Sequence, residues 1–131
     1  MLGAGVVNEP GAFAWNELMT REPDAAVEFY GRVLGWTAKV NANPDMPYTE
    51  FQIDGRSVAG MMPMIGDAWP AELPDHWMVY FAVEDCDVAG TKIQELGGTV
   101  SVPPTDIPGI GRFAVVSDPA GAFFSVITMA G

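Results

Sequence analysis

From Phe13 to Met19 apolar and polar positions alternate with period two, as they do along a half-buried strand. That alternation puts Trp15, Glu17 and Met19 on one face and Ala14, Asn16 and Leu18 on the other. The period then changes. Ala26, Phe29, Tyr30 and Val33 recur at i, i+3, i+4 and i+7, the apolar stripe of a helix. Pro23 suits a first helical turn, Glu22 and Asp24 complement the positive end of the helix dipole, and Gly35 reads as the C-cap. Trp36 to Val40 predicts a short strand, and Asn41-Ala42-Asn43-Pro44 carries turn chemistry. Tyr48 to Ile53 and Ser57 to Met62 predict two more strands joined by the hairpin signal Asp54-Gly55. The same order returns further on: a strand over 77–83, an acidic turn Glu84-Asp85-Cys86-Asp87, and a helix with Val88, Ile93 and Leu96 as its apolar face. Strands follow at 99–102, 112–117 and 123–127, with a Pro-rich loop over 103–109. A shift of 63 residues pairs Trp15 with Met78, Asp24 with Asp87 and Ala26 with Ala89.

The pattern therefore predicts an α+β chain built from two βαβββ units, 12–64 and 76–128, joined by a proline-containing linker over 65–75. Trp69 in that linker reads as an anchor that packs down. At 131 residues a single domain, 1–131, with its own core is expected. Six basic residues against seventeen acidic ones leave a net charge of −11, too little positive charge for a nucleic-acid surface or an anionic membrane. No apolar run reaches the length of a membrane span, and the start of the chain lacks a basic, then apolar, leader pattern. The lone Cys86 forms no internal disulfide, so a reducing cytoplasm is the expected location. A neutral or cationic small molecule, or another protein, remains as partner.

Several motifs stand in one order: Phe29-Tyr30-x-x-Val33-Leu34-Gly35-Trp36, then Ala82-Val83-Glu84-Asp85, then Glu95-Leu96-Gly97-Gly98, then Gly111-Arg112-Phe113-Ala114-Val115-x-x-Asp118-Pro119-x-Gly121. With paired βαβββ units they resemble the vicinal oxygen chelate superfamily of glyoxalases, bleomycin-resistance proteins and extradiol dioxygenases. The nearest likeness is to actinobacterial glyoxalase-like proteins often labelled hydroxylases. The resemblance implies an open barrel of curled sheets with helices outside and the site on the concave inner faces, in the cleft between the units. It also implies a divalent metal held by His and acidic ligands in the first and last strands of each unit. Here those positions hold Trp15, Ala59 or Gly60, Met78 and Ser125, and the chain has one histidine, His76. No cofactor is therefore expected. An oxygen-rich site for a hard cation that recruits His76 is the alternative to a missing metal site.

Without a metal, the inner faces offer Trp15, Glu17, Met19, Met61 or Met62, Met78, Tyr80 and Ser125. Aromatic and thioether walls with a few polar groups are how small-molecule sites are lined, and methionine adapts to planar rings. The same residues can instead close on themselves as core. Glu17 carries the most information, because a buried carboxylate is costly unless held. It is either a general base or a structural partner of Arg112 or of backbone donors, and pairing is the preferred reading. His76 reads as a surface cap. Cys86 sits among acids that disfavour a thiolate.

Two functions follow. One is a metal-independent protein that binds a small hydrophobic or aromatic metabolite or drug. The other is a lyase- or isomerase-type enzyme with Glu17 as acid/base and Tyr80 or Ser125 polarising a carbonyl. A metal-dependent glyoxalase or dioxygenase is a third. A homodimer is expected through the fourth strand and linker, with Trp69, Met62 and Met64 as its apolar contact.

Overall fold

The computed structural model describes residues 4–41 and 47–130, so the turn expected at Ala42-Asn43-Pro44 lies outside the described residues. Two compact units emerge. One is Trp15–Met78; the other runs from Val79 onward and takes in the chain up to Ala14.

The first unit draws on β1 (Phe13–Thr20), α1 (Pro23–Leu34), β2 (Thr37–Val40), β3 (Thr49–Ile53) and β4 (Arg56–Pro63). Its sheet runs β2-β3-β4-β1, antiparallel except where β1 lies parallel to β4. Gly35 closes α1 in the left-handed conformation at φ 72°, its N–H donating to the Gly31 carbonyl. The core lies between this sheet and α1. Leu18, Phe51, Ala59 and Met61 are buried there, with Ala26, Val27, Tyr30 and Trp36 packed against them. Half of the expected helical stripe holds: Ala26 and Tyr30 face the sheet together with Val27, whereas Phe29 and Val33 stand 58% and 59% exposed. Tyr30 is the anchor. Its ring stacks on Trp36 and meets Trp77 edge-on, and its hydroxyl accepts the Trp77 indole N–H at 3.0 Å.

The linker is tied back to the end of β1. The Arg21 guanidinium donates to the Leu73 and Pro70 carbonyls, and Thr20 Oγ1 donates to Asp75 Oδ2 at 2.5 Å. The Thr20 hydroxyl, helped by the Arg21 backbone N–H, holds the Asp75 carboxyl below its usual range against a smaller opposing effect of desolvation. His76 donates its Nδ1–H to the Pro74 carbonyl at 2.8 Å.

The second unit draws on β5 (His76–Ala82), α2 (Cys86–Glu95), β6 (Thr99–Ile107), β7 (Gly111–Ser117) and β8 (Phe123–Met129). Its sheet runs β5-β8-β7-β6, with β5 parallel to β8 and the other pairs antiparallel. Asp85 caps α2 by accepting the Val88 N–H at 3.1 Å. Cys86, Ala114, Val116 and Val126 form the core, with Ala89 and Ile93 of α2 against them. Val88 and Leu96, expected inside, are 63% and 69% exposed. Ala89 and Ile93 occupy the same places in α2 as Ala26 and Tyr30 in α1, each 63 residues on, so both helices approach their sheets through the same small residue. Strand β6 also departs from expectation. It continues through Pro103-Pro104 to Ile107, because the ladder shifts register between Val100 and Val102 and again between Val102 and Thr105. A bulged outer strand accepts prolines that a central one would not. Among the described residues no helix is long and apolar enough to cross a membrane.

Candidate functional site

Strand parity sorts the site residues. Leu18 packs under α1, so Trp15, Glu17 and Met19 point to the opposite face of the first sheet. In register beside them, β4 places Gly60 next to Glu17 and Met62 next to Met19, and β3 places Glu50 next to Gly60. Met61 does not belong to this wall. It alternates with Gly60 and Met62, points under α1 and is 1% exposed in the core.

On that face Glu17 is 5% exposed. Tyr48, just ahead of β3, donates its hydroxyl to Glu17 Oε2 at 2.6 Å and accepts the Trp15 indole N–H at 3.0 Å. Two donors in series therefore end on one carboxylate, a charge-assisted arrangement. Beside it, Gln52 Nε2 donates to Ser57 Oγ at 3.3 Å and Ser57 donates to Glu50 Oε1 at 2.6 Å. Tyr48 was not among the residues that sequence reasoning selected. Its role depends on a strand register that no local motif announces.

Arg112, expected to hold Glu17, is engaged elsewhere. It donates to both Asp87 carboxylate oxygens and to Asp106 Oδ1 at 3.0–3.4 Å. The reason is again parity: Phe113 points to the Tyr80 face, so Arg112 points to the α2 side. The hydrogen bonds it gives to Asp87 and Asp106 raise its guanidinium above the ordinary arginine range.

In the second sheet Tyr80, Ser125 and Val115 stand side by side on the face away from α2. Tyr80 is 6% exposed, and its ring centroid lies 6.4 Å from that of Phe113. Met78, two residues before Tyr80, shares its face and is also buried. Ser125 is fully buried, and its Oγ has no hydrogen-bond partner among the described residues. Buried hydroxyls in that state are uncommon. Cys86 is 2% exposed, and burial first, then Asp87, pushes its thiol above the usual range, which suits a core residue. Two hollows, about 290 Å³ between Thr20, Tyr30, Asp75 and Trp77 and about 420 Å³ along Asp87–Glu95 of α2, are open and touch neither Glu17 nor Ser125.

This arrangement can be set beside known proteins. Residues 12–126 match the family described as the Glyoxalase/Bleomycin resistance protein/Dioxygenase superfamily. The Mycobacterium tuberculosis protein CFP32, provisionally named a glyoxylase, is 44% identical over 129 residues, which cover 96% of this chain and 47% of that protein. The anthracycline biosynthesis protein DnrV of Streptomyces peucetius is 38% identical over 128 residues, covering 89% and 46%. The chain thus spans about half the length of the curated relatives it matches. Among solved structures, a methylmalonyl-CoA epimerase in complex with methylmalonyl-CoA and NH4+ shares the fold at TM-score 0.67 and 20% identity, over 94% of this chain and 97% of that one. The Mn(II)-bound glyoxalase of Novosphingobium aromaticivorans does so at 0.61 and 19%, over 91% and 39%.

The manganese in that neighbour poses a question of fit. At the positions the superfamily resemblance assigns to ligands, Trp15 gives its N–H to Tyr48, Gly60 has no side chain, Met78 offers a thioether and Ser125 a neutral hydroxyl. Hard divalent cations take carboxylate, carbonyl and water oxygens, or imidazoles at transition-metal sites, so this donor set does not suit one. Among the described residues no three His, Cys, Asp or Glu side chains gather as a metal-binding group. The α+β architecture, the ordered motifs, the match over 12–126 and the 44% identity to CFP32 agree, and the chain belongs to the glyoxalase/bleomycin resistance protein/dioxygenase superfamily.

Proposed function

We propose that this domain binds a small hydrophobic or aromatic metabolite or drug on the sheet face that carries Glu17, without a metal. The observation that carries the reading is Glu17: a carboxylate 5% exposed, outside either core, held by Tyr48 between Trp15 and Met19. Keeping a charge there costs stability unless it is hydrogen-bonded, and a ligand-facing role accounts for the cost. An ionised carboxylate only accepts, so the ligand group suited to Glu17, beside the Tyr48 phenol that already donates to it, is a hydroxyl, amide or amine donor. The names of the relatives, a glyoxylase and an anthracycline biosynthesis protein, accord with a small-molecule site.

Titration of ¹⁵N-labelled protein with planar aromatic phenols and amines tests this. Saturable shifts at the Trp15 indole are expected and should weaken in Glu17→Gln. Flat titrations, with one equivalent of divalent metal found by elemental analysis, would overturn the reading. A second reading has its own support in the 2.6 Å phenol–carboxylate contact, which suits proton transfer. There Glu17 is the acid/base of a lyase or isomerase, and Glu17→Gln abolishes turnover while binding persists. Around the expected dimer contact, Met64 is 4% exposed and cannot take part, whereas Ile65 is 62% exposed and Met62 partly so. We propose a cytoplasmic homodimer through β4 and the linker, visible in light scattering as twice the 14.0 kDa chain.

A further inference from the structure

We infer that Gly60 and Tyr48 form a positioning pair for Glu17: the missing side chain at 60 is the space in which the Tyr48 phenol sits. This rests on the ligand face proposed above. Gly60 is buried, flanked in register by Glu17 and Glu50. A methyl carbon placed on it would overlap the Tyr48 hydroxyl oxygen and stand 2.5 Å from Tyr48 Cζ and 3.0 Å from Trp15 Nε1. The backbone does not call for glycine there, since Gly60 is not among the residues with positive φ. The glycine is therefore explained by the ring above it.

The second unit offers an internal control. By register, Ser125 stands where Gly60 stands, Tyr80 where Glu17 stands, and Phe113 where Tyr48 stands. With no phenol oxygen on Phe113, that row carries a side chain at 125. Where the oxygen is present, the side chain is absent. Tyr48 is thus a positioning residue, receiving the Trp15 N–H on one side and directing its own proton to Glu17 on the other.

The test uses Gly60→Ala, Tyr48→Ser and the double variant, without ligand. The Trp15 indole N–H resonance is the reporter, assigned through Trp15→Phe. Gly60→Ala should displace the ring, shift that resonance, speed its exchange with solvent and lower Tm by roughly 5–15 °C. In the Tyr48→Ser background the added methyl should cost less than roughly 3 °C. If Gly60→Ala fails to fold while the double variant folds, the pairing also stands. An unchanged indole resonance in Gly60→Ala, or an equal Tm loss in both backgrounds, would overturn it. Neither result touches the ligand-face proposal, which answers to its own titration.

Discussion

Two rows of side chains occupy the same register in the two halves of the repeat and differ in chemistry. In the first, Glu17, Gly60 and Glu50 lie across β1, β4 and β3; in the second, Tyr80, Ser125 and Val115 lie across β5, β8 and β7. The flanking rings follow suit. Tyr48 gives a hydrogen bond to Glu17, whereas Phe113 lies at a tilt against the Tyr80 ring. Under the helices the rows differ in which strand carries the phenylalanine. Phe51 faces Ala59 in one sheet where Val116 faces Phe124 in the other. Both arrangements keep apolar side chains under the helix, as packing requires. On the faces away from the helices, by contrast, one row carries carboxylates and the other a phenol, a hydroxyl and a valine.

The contrast can be broken where it is sharpest. Tyr48→Phe turns the first row's ring into that of the second and strips a donor from a buried carboxylate. Unfolding in urea should show a loss of about 1.5–3 kcal/mol. A variant as stable as the parent would mean that the two rows differ in composition and not in energetics. Ser125→Ala should move the other way. Its hydroxyl has no partner among the described residues, so removing it should leave stability unchanged or raise it by up to about 1 kcal/mol in the ligand-free protein. A clear loss would place an unseen partner on Oγ. The smallest effect belongs to the tie before β5. The folded Asp75 carboxyl lies below its ordinary value of 3.8, so its contribution is present above that pH and fades as pH falls through and below it. Asp75→Asn should flatten the acid limb of a Tm-against-pH curve and leave the neutral region nearly unaltered.

Much of this was legible in period and spacing. Two-residue alternation correctly put Trp15, Glu17 and Met19 on one face, and the 63-residue shift matched Ala26 to Ala89, which prove to hold the same place under their helices. What escaped is what apolarity alone cannot report. The helices turn Ala26 and Ala89 to the sheet because a small residue permits close approach, leaving Phe29, Val33, Val88 and Leu96 outside. Arg112 was assigned to Glu17 on charge, although alternation with Phe113 sends it to Asp87. Tyr48 lies ahead of its strand, and its bond to Glu17 arises from a parallel β1–β4 register that joins residues 43 positions apart.

The two register shifts in β6 carry a consequence for how this protein behaves in a crowded solution. The outer strand of a sheet ordinarily presents a row of free N–H and C=O groups on which another chain can add, and fibres can grow from such templates. Pro103 and Pro104 leave that stretch without two backbone N–H donors at the very place where the ladder slips. A docking strand would find its pairing interrupted there. With a net charge of −11 adding long-range repulsion, the edge resists templated growth, and replacing both prolines with valine would restore donors to an incoming strand and weaken that resistance.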